Sequence, residues 1–124
     1  MTKILVVDDE PFVVKILEDR LKKSGLEVIT ANDGEECLDK ALQRPDLILL
    51  DFILPVMDGS QAMIELKRNE STKDIPIIVL TAMPSRDGGK KFFGLGAADF
   101  ILKPIKLDLL INKIENVLKK QEAK

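Results

Sequence analysis

The sequence predicts an α/β fold, a parallel sheet with helices on both faces, and three observations carry that prediction. Five short apolar runs alternate with five helical segments along the chain. The runs Ile4–Val7, Leu47–Leu50 and Ile77–Leu80 are apolar at every position, which suits strands buried on both faces better than the alternation of a half-exposed strand. Right-handed crossovers then place the intervening helices on either side of one sheet. The third observation is where these runs stop: on Asp8-Asp9, on Asp51, on Thr81 and on Lys103.

The elements follow in order. Lys3–Val7 is the first strand. Pro11 suits the first turn of the next helix, with Asp9 or Glu10 as its cap, and Phe12, Val13, Ile16, Leu17 and Leu21 recur at helical spacing until Ser24-Gly25 ends it. Leu26 to Thr30 reads as a short strand, and Asn32 or Asp33 caps a helix through Gln43 whose inner face is Leu38, Ala41 and Leu42. Arg44-Pro45 stops that helix, because the residue before proline is pushed out of helical geometry. After the strand ending on Asp51, Asp58-Gly59 leads into a helix from about Ser60 to Arg68 that buries Ala62, Met63 and Leu66. Ile77–Leu80 is the fourth strand. The fourth helix should lie in Ser85–Phe93, yet Gly88-Gly89 costs roughly 1 kcal/mol per glycine in a helix interior, so it is expected to be short, late-starting or mobile. Asp99–Leu102 is the last strand, Leu107–Lys119 the last helix with Leu109, Leu110, Ile114, Val117 and Leu118 inward, and the polar tail from Lys120 is expected to fray.

At 124 residues, with 45% apolar and 32% charged side chains and no composition break, the chain reads as one domain over 1–124. A net charge of -2 supplies no basic field for nucleic acid, no apolar run approaches the ~20 residues of a membrane span, and no signal peptide precedes the first strand; a cytoplasmic protein is expected. The single cysteine, Cys37, reads as a packed or partly covered thiol, with a redox role as the alternative. Histidine, tryptophan and tyrosine are absent. Any metal must therefore rest on oxygen ligands, which favours a hard cation such as magnesium.

An isolated aspartate at a strand end reads most simply as the start of a turn. Five polar side chains on one sheet edge call for more. Asp8, Asp9 and Asp51 crowded together would repel one another and raise their pKa values unless a cation joined them. Magnesium held by carboxylates, waters and phosphoryl oxygens meets that need. Lys103 can pair with phosphoryl charge and the Thr81 hydroxyl can donate to a phosphoryl oxygen.

Taken together, Val7-Asp8-Asp9, Leu50-Asp51 with Pro55-Val56-Met57-Asp58-Gly59, Leu80-Thr81-Ala82 and Phe100-Ile101-Leu102-Lys103-Pro104 resemble the receiver domain of two-component response regulators over nearly the whole chain. The resemblance implies a flavodoxin-like, doubly wound five-stranded sheet of order 2-1-3-4-5 with five helices. It implies Asp51 as phosphate acceptor and Asp9 as direct magnesium ligand, with Asp8 as a water-mediated or second partner and the Ile53 backbone carbonyl as a further ligand. Lys103 becomes the phosphoryl contact, Thr81 the switch hydroxyl with Ala82 beside it, Phe100 the switch aromatic, and Lys103-Pro104 a cis peptide. An ordinary core aromatic is the other reading of Phe100. The implied partners are a sensor histidine kinase or phosphotransfer protein and a downstream protein target, with no direct contact to nucleic acid or membrane. The face of the fourth helix, fifth strand and fifth helix would switch, as a monomer or a phosphorylation-dependent dimer.

Two positions depart from side chains able to place an attacking water: Ile53, two after Asp51, and Met83, two after Thr81. Slow self-dephosphorylation is expected from both. A phosphatase of the haloacid dehalogenase type would want an aspartate at position 53, and a flavodoxin would want a phosphate loop where Asp8-Asp9-Glu10-Pro11 stands. A receiver-shaped adaptor working without phosphorylation is the third alternative.

Overall fold

The computed structural model describes residues 1–82 and 87–122. Five strands, β1 (Lys3–Val7), β2 (Glu27–Ala31), β3 (Leu47–Asp51), β4 (Ile77–Thr81) and β5 (Asp99–Leu102), alternate with five helices: α1 (Pro11–Lys23), α2 (Gly34–Ala41), α3 (Gly59–Arg68), α4 (Lys90–Gly94) and α5 (Leu107–Glu122). Every pairing is parallel and the order is β2-β1-β3-β4-β5, the flavodoxin-like arrangement. The chain leaves β1 for β2 on one side and returns to place β3 on the other. The strand order therefore reverses at β1, and the crevice beyond the carboxyl ends of β1 and β3 is the switch point at which such sheets bind ligands.

Unbroken apolar strands imply two cores, and two are present. Leu5, Val7, Ile48, Leu50, Ile77 and Val79 point to one face with Cys37, Ala41, Ala62, Met63 and Leu66 of α2 and α3. Ile4, Val6, Leu47, Leu49, Ile78 and Leu80 point to the other, against Leu17 and Leu21 of α1 and Leu110, Ile114 and Val117 of α5. Each fully buried leucine or isoleucine contributes about 1.5–3 kcal/mol, so β1, β3 and β4 are the best-anchored strands. Cys37 is a packing residue: burial, reinforced by the Asp33 charge, pushes its thiol up to about 12.

The structure adjusts or decides several details of the sequence reading. Phe12 and Ile16 are exposed although they continue the apolar stripe of α1, and Leu42 and Leu109 are exposed although both were assigned to inner faces. Periodicity finds the apolar side of a helix but not how far a neighbour covers it. Glu10 stands at the N-cap of α1 without a side-chain capping bond; its own N–H donates instead to Asp8 Oδ1 at 2.9 Å. At α2, Asp33 is the cap, accepting from the Glu36 N–H at 2.8 Å. The last helix runs on to Glu122 rather than fraying from Lys120, and β2 runs from Glu27 to Ala31, one position later than expected.

The fourth helix is short and late, as Gly88-Gly89 implied. Both glycines are left-handed, with φ of 68° and 86°, and α4 begins only at Lys90. Met83 and Ser85, where the preceding turn and the helix start were expected, lie outside the described residues.

Candidate functional site

Adjacent strands β1 and β3 deliver their terminal acids to one place. Val7 pairs with Leu50 in register, so Asp8 and Asp51 emerge side by side. Asp8 is fully buried and Asp51 nearly so, while Asp9 and Glu10 are exposed. Carboxylate oxygens of Asp8, Asp9, Glu10 and Asp51 all lie within 4.8 Å of one another. Lys103 reaches in from the end of β5: its Nζ donates to Asp8 Oδ2 at 2.8 Å, Asp51 Oδ2 at 3.2 Å and Glu10 Oε1 at 3.3 Å.

Backbone bonds hold these groups in place. The Ile53 N–H donates to Asp51 Oδ1 at 3.2 Å, fixing the carboxylate and setting residue 53 beside it, with its side chain in solvent. Phe52 N–H donates to Leu80 O at 2.9 Å and Gly59 N–H to Phe52 O at 2.9 Å, so the segment after Asp51 is clamped between β4 and α3. The loop turns sharply at Val56, which has a φ of 67°, a left-handed conformation unusual for a β-branched residue. Thr81 is buried at the end of β4, and its carbonyl accepts from the Lys103 N–H at 2.7 Å, tying the last two strand ends together. Ala82 follows it exposed, and the Lys103-Pro104 peptide is cis.

The structure thus brings Asp8, Asp9, Asp51, Lys103 and the Ile53 backbone to one point, with Thr81 at the next strand end. Phe100 does not join them. It packs beneath α4 against Phe92 and Phe93, half-buried. Glu10 belongs to the cluster and was read only as a helix cap; its position directly after two strand-end acids was the available signal.

Electrostatics oppose four acids in so small a space. Burial first, then the Asp8 charge, raises the Asp51 carboxyl above its ordinary range, and Lys103 partly offsets this. Burial disfavours the Lys103 ammonium, yet its bond to Asp8 and the Asp51 charge outweigh burial and raise its pKa. A carboxylate whose folded pKa is raised destabilises the fold when ionised, and that cost disappears as pH falls through the raised value. In metal-free buffer Asp51→Asn is therefore expected to increase stability at neutral pH, with an advantage that shrinks on acidification. Equal advantage at every pH in urea titrations would contradict this origin. The all-oxygen donor set, dense in carboxylate and partly desolvated, fits a hard divalent cation; Asp8, Asp9, Glu10 and Asp51 each offer one oxygen to it.

Comparisons with known proteins bear on the family and the fold. The profile described as "Response regulator receiver domain" matches residues 4–115. The chain belongs to the receiver domain family of response regulators. Receivers are signalling domains rather than ordinary enzymes. Among curated relatives, the chain is 40% identical over 121 residues to the alkaline phosphatase synthesis transcriptional regulatory protein PhoP of Bacillus subtilis, covering 97% of this chain and 50% of that protein. It is 38% identical over 122 residues to the transcriptional regulatory protein PrrA of Mycobacterium leprae, covering 98% and 52%. The receiver thus spans about half the length of the curated relatives it matches. Among solved structures, the chemotaxis response regulator CheY4 of Vibrio cholerae superimposes with a TM-score of 0.88 at 32% identity, covering 94% of this chain and 98% of that one. The receiver domain of a sensor histidine kinase from Pseudomonas aeruginosa, solved with a magnesium ion coordinated in its active site cleft, gives 0.86 at 32%, covering 95% and 98%. Among the described residues, no helix is long and apolar enough to cross a membrane.

Proposed function

We propose that this receiver accepts a phosphoryl group on Asp51 from a phosphohistidine of a sensor kinase or phosphotransfer protein, or from a small acyl phosphate. The observation that supports it most directly is Asp51, nearly buried, with one carboxylate oxygen held by the Ile53 N–H and the other by Lys103. In the transfer, a carboxylate oxygen forms a bond to phosphorus, the bond from phosphorus to the donor breaks, and its electron pair leaves with the imidazole or carboxylate of the donor. Positioning and charge neutralisation supply most of such catalysis, and a carboxylate nucleophile needs no histidine base. Lys103 neutralises oxygen charge on the incoming group, and Thr81 is the hydroxyl that would follow it. Asp8, Asp9, Asp51 and the Ile53 carbonyl would hold magnesium, which when bound neutralises acceptor and phosphoryl oxygens together.

The approach of a donor is favoured by the surface around the acids. Phe12, Val13, Ile16, Pro104, Ile105 and Leu107 line a groove that opens beside Glu10 and Lys103, and Phe12 is 77% exposed. An exposed aromatic beside a charged site marks a protein contact. Downstream, Phe100 and the face of α4, β5 and α5 would report phosphorylation to a target through a population shift. Residues 1–124 act in this reading as one receiver unit, in the cytoplasm, as a monomer or a phosphorylation-dependent dimer.

Intact mass after incubation with acetyl phosphate is the test. A single phosphoryl adduct, dependent on magnesium and absent from Asp51→Asn, is the expected result. No adduct, with magnesium binding confirmed and a phosphorylated kinase also tried, favours an adaptor that works without phosphorylation. The exposed, apolar Ile53 side chain has no group to orient water, so the adduct is expected to last minutes or longer. Its decay within seconds would remove that assignment. Met83, given the same role, lies outside the described residues.

A further inference from the structure

Four of the five phenylalanines form one continuous contact that starts at the residue after Asp51 and ends on β5. Phe52, buried, meets Phe92 edge-to-face, with ring centroids 5.0 Å apart at 75°. Phe92, only 3% exposed, meets Phe100 at 5.4 Å and 44°, and Phe93 closes on Phe100 at 6.1 Å. Both ends are constrained. The backbone of Phe52 is bonded to Leu80 and Gly59. The Phe100 ring fills the space where a side chain on Gly89 would project, and Lys113, bonded to the Asp99 carboxylate at 3.0 and 3.1 Å, lies 5.9 Å from its centroid.

The middle is a short element. α4 has only five residues and starts from a left-handed glycine, and the Phe92 carbonyl accepts from the Leu95 and Ala97 N–H groups at 3.1 and 3.0 Å. The Phe92 ring lies in the core between Phe52 and Phe100, so a displacement of Phe52 must be passed on or leave a cavity. Lys91, beside it, lies 5.0 Å from the Phe52 centroid and adds a second tie between α4 and the acceptor loop.

We propose that Phe92 is a positioning residue through which the segment following Asp51 sets the orientation of Phe100. In its signalling sense this rests on the phosphoacceptor reading above, but the ring coupling itself does not. Because the chain has five phenylalanines and no tyrosine or tryptophan, fluorophenylalanine labelling yields five fluorine resonances, assignable from single Phe→Leu variants. In the unphosphorylated protein, Phe52→Leu is expected to shift the Phe100 resonance. With Phe92→Leu also present, that response is expected to fall by more than about half, a coupling that a double-mutant cycle measures. Phe92→Met, whose flexible unbranched side chain fills irregular gaps, serves if the leucine variant is not folded. An undiminished response in the double variant, or no response to Phe52→Leu, overturns the proposal. Acetyl phosphate on the same samples, checked by mass, separates the two ideas: no adduct counts against the phosphoacceptor reading alone. An adduct on Phe92→Leu with the full wild-type shift at Phe100 counts against the coupling.

Discussion

Lys103→Met is expected to lower stability by about 3 kcal/mol at neutral pH in metal-free buffer and to slow phosphorylation by acetyl phosphate on the order of 10²-fold. The cation it removes is the one bonded to Asp8, Asp51 and Glu10, and the Asp8 and Asp51 side chains are 0% and 9% exposed. Breaking a buried pair leaves the uncompensated partner in a poor solvent, which costs more than the pair itself contributes. The sign with pH follows from the raised pKa of Lys103: its contribution is complete below the ordinary lysine value and is lost as pH rises through the higher folded value. The deficit of the variant should therefore persist across the neutral range. It should narrow on acidification, as Asp51 takes up its proton, and on adding magnesium, which replaces the missing positive charge. Urea titrations with and without magnesium decide it; a deficit unchanged by the metal would show that Lys103 acts by packing.

Gly59→Ala is the second large effect, a loss of about 3 kcal/mol or more together with the phosphoryl adduct. A Cβ on Gly59 would lie 2.6 Å from Asp51 O, Phe52 Cα and Phe52 O, all backbone at the end of β3. No rotamer change relieves such contacts, so α3 must move away or Asp51 must shift. Gly94→Ala is the matched control. Nothing lies within 4 Å of its Cβ position and it closes a helix, so a change of no more than about 1 kcal/mol, in the stabilising direction, is expected. Thermal unfolding of both variants, with adduct mass on each, makes the comparison; similar behaviour would mean that the end of β3 yields more easily than its bonds suggest.

The strand runs were legible because both faces are buried, which removes the ambiguity of register: Ile4–Val7 and Leu47–Leu50 have no polar side to misplace. Once those strands were placed, the acids at their ends followed, and Asp8, Asp9, Asp51 and Lys103 could be gathered by arithmetic on the chain. Glu10 was less legible, because an acid before Pro11 has an adequate local explanation as a cap; its place directly after two strand-end acids hinted at the other role, which the contact with Lys103 shows. Phe12 and Ile16 were hidden for a related reason. Their spacing is that of a core stripe, and only their exposure in the fold shows that this part of α1 faces outward. The Gly88-Gly89 pair announced a late α4, but the seat it makes for Phe100 depends on a ring from another strand.

The placement of β1 between β2 and β3 also bears on how the molecule is born. Every pairing is parallel, so no two strands can zip as a hairpin, and β1 cannot be flanked on both sides until β3 has been made and has crossed over. Such non-local closures are slow, because chain entropy is lost before contacts compensate it. Isolated βα units released early carry Asp8 and Asp9 without Asp51, or Asp51 without them. The carboxylate cluster is therefore completed only when β1 and β3 have paired. Ligand capture by the growing chain would time the docking of β1 on β3.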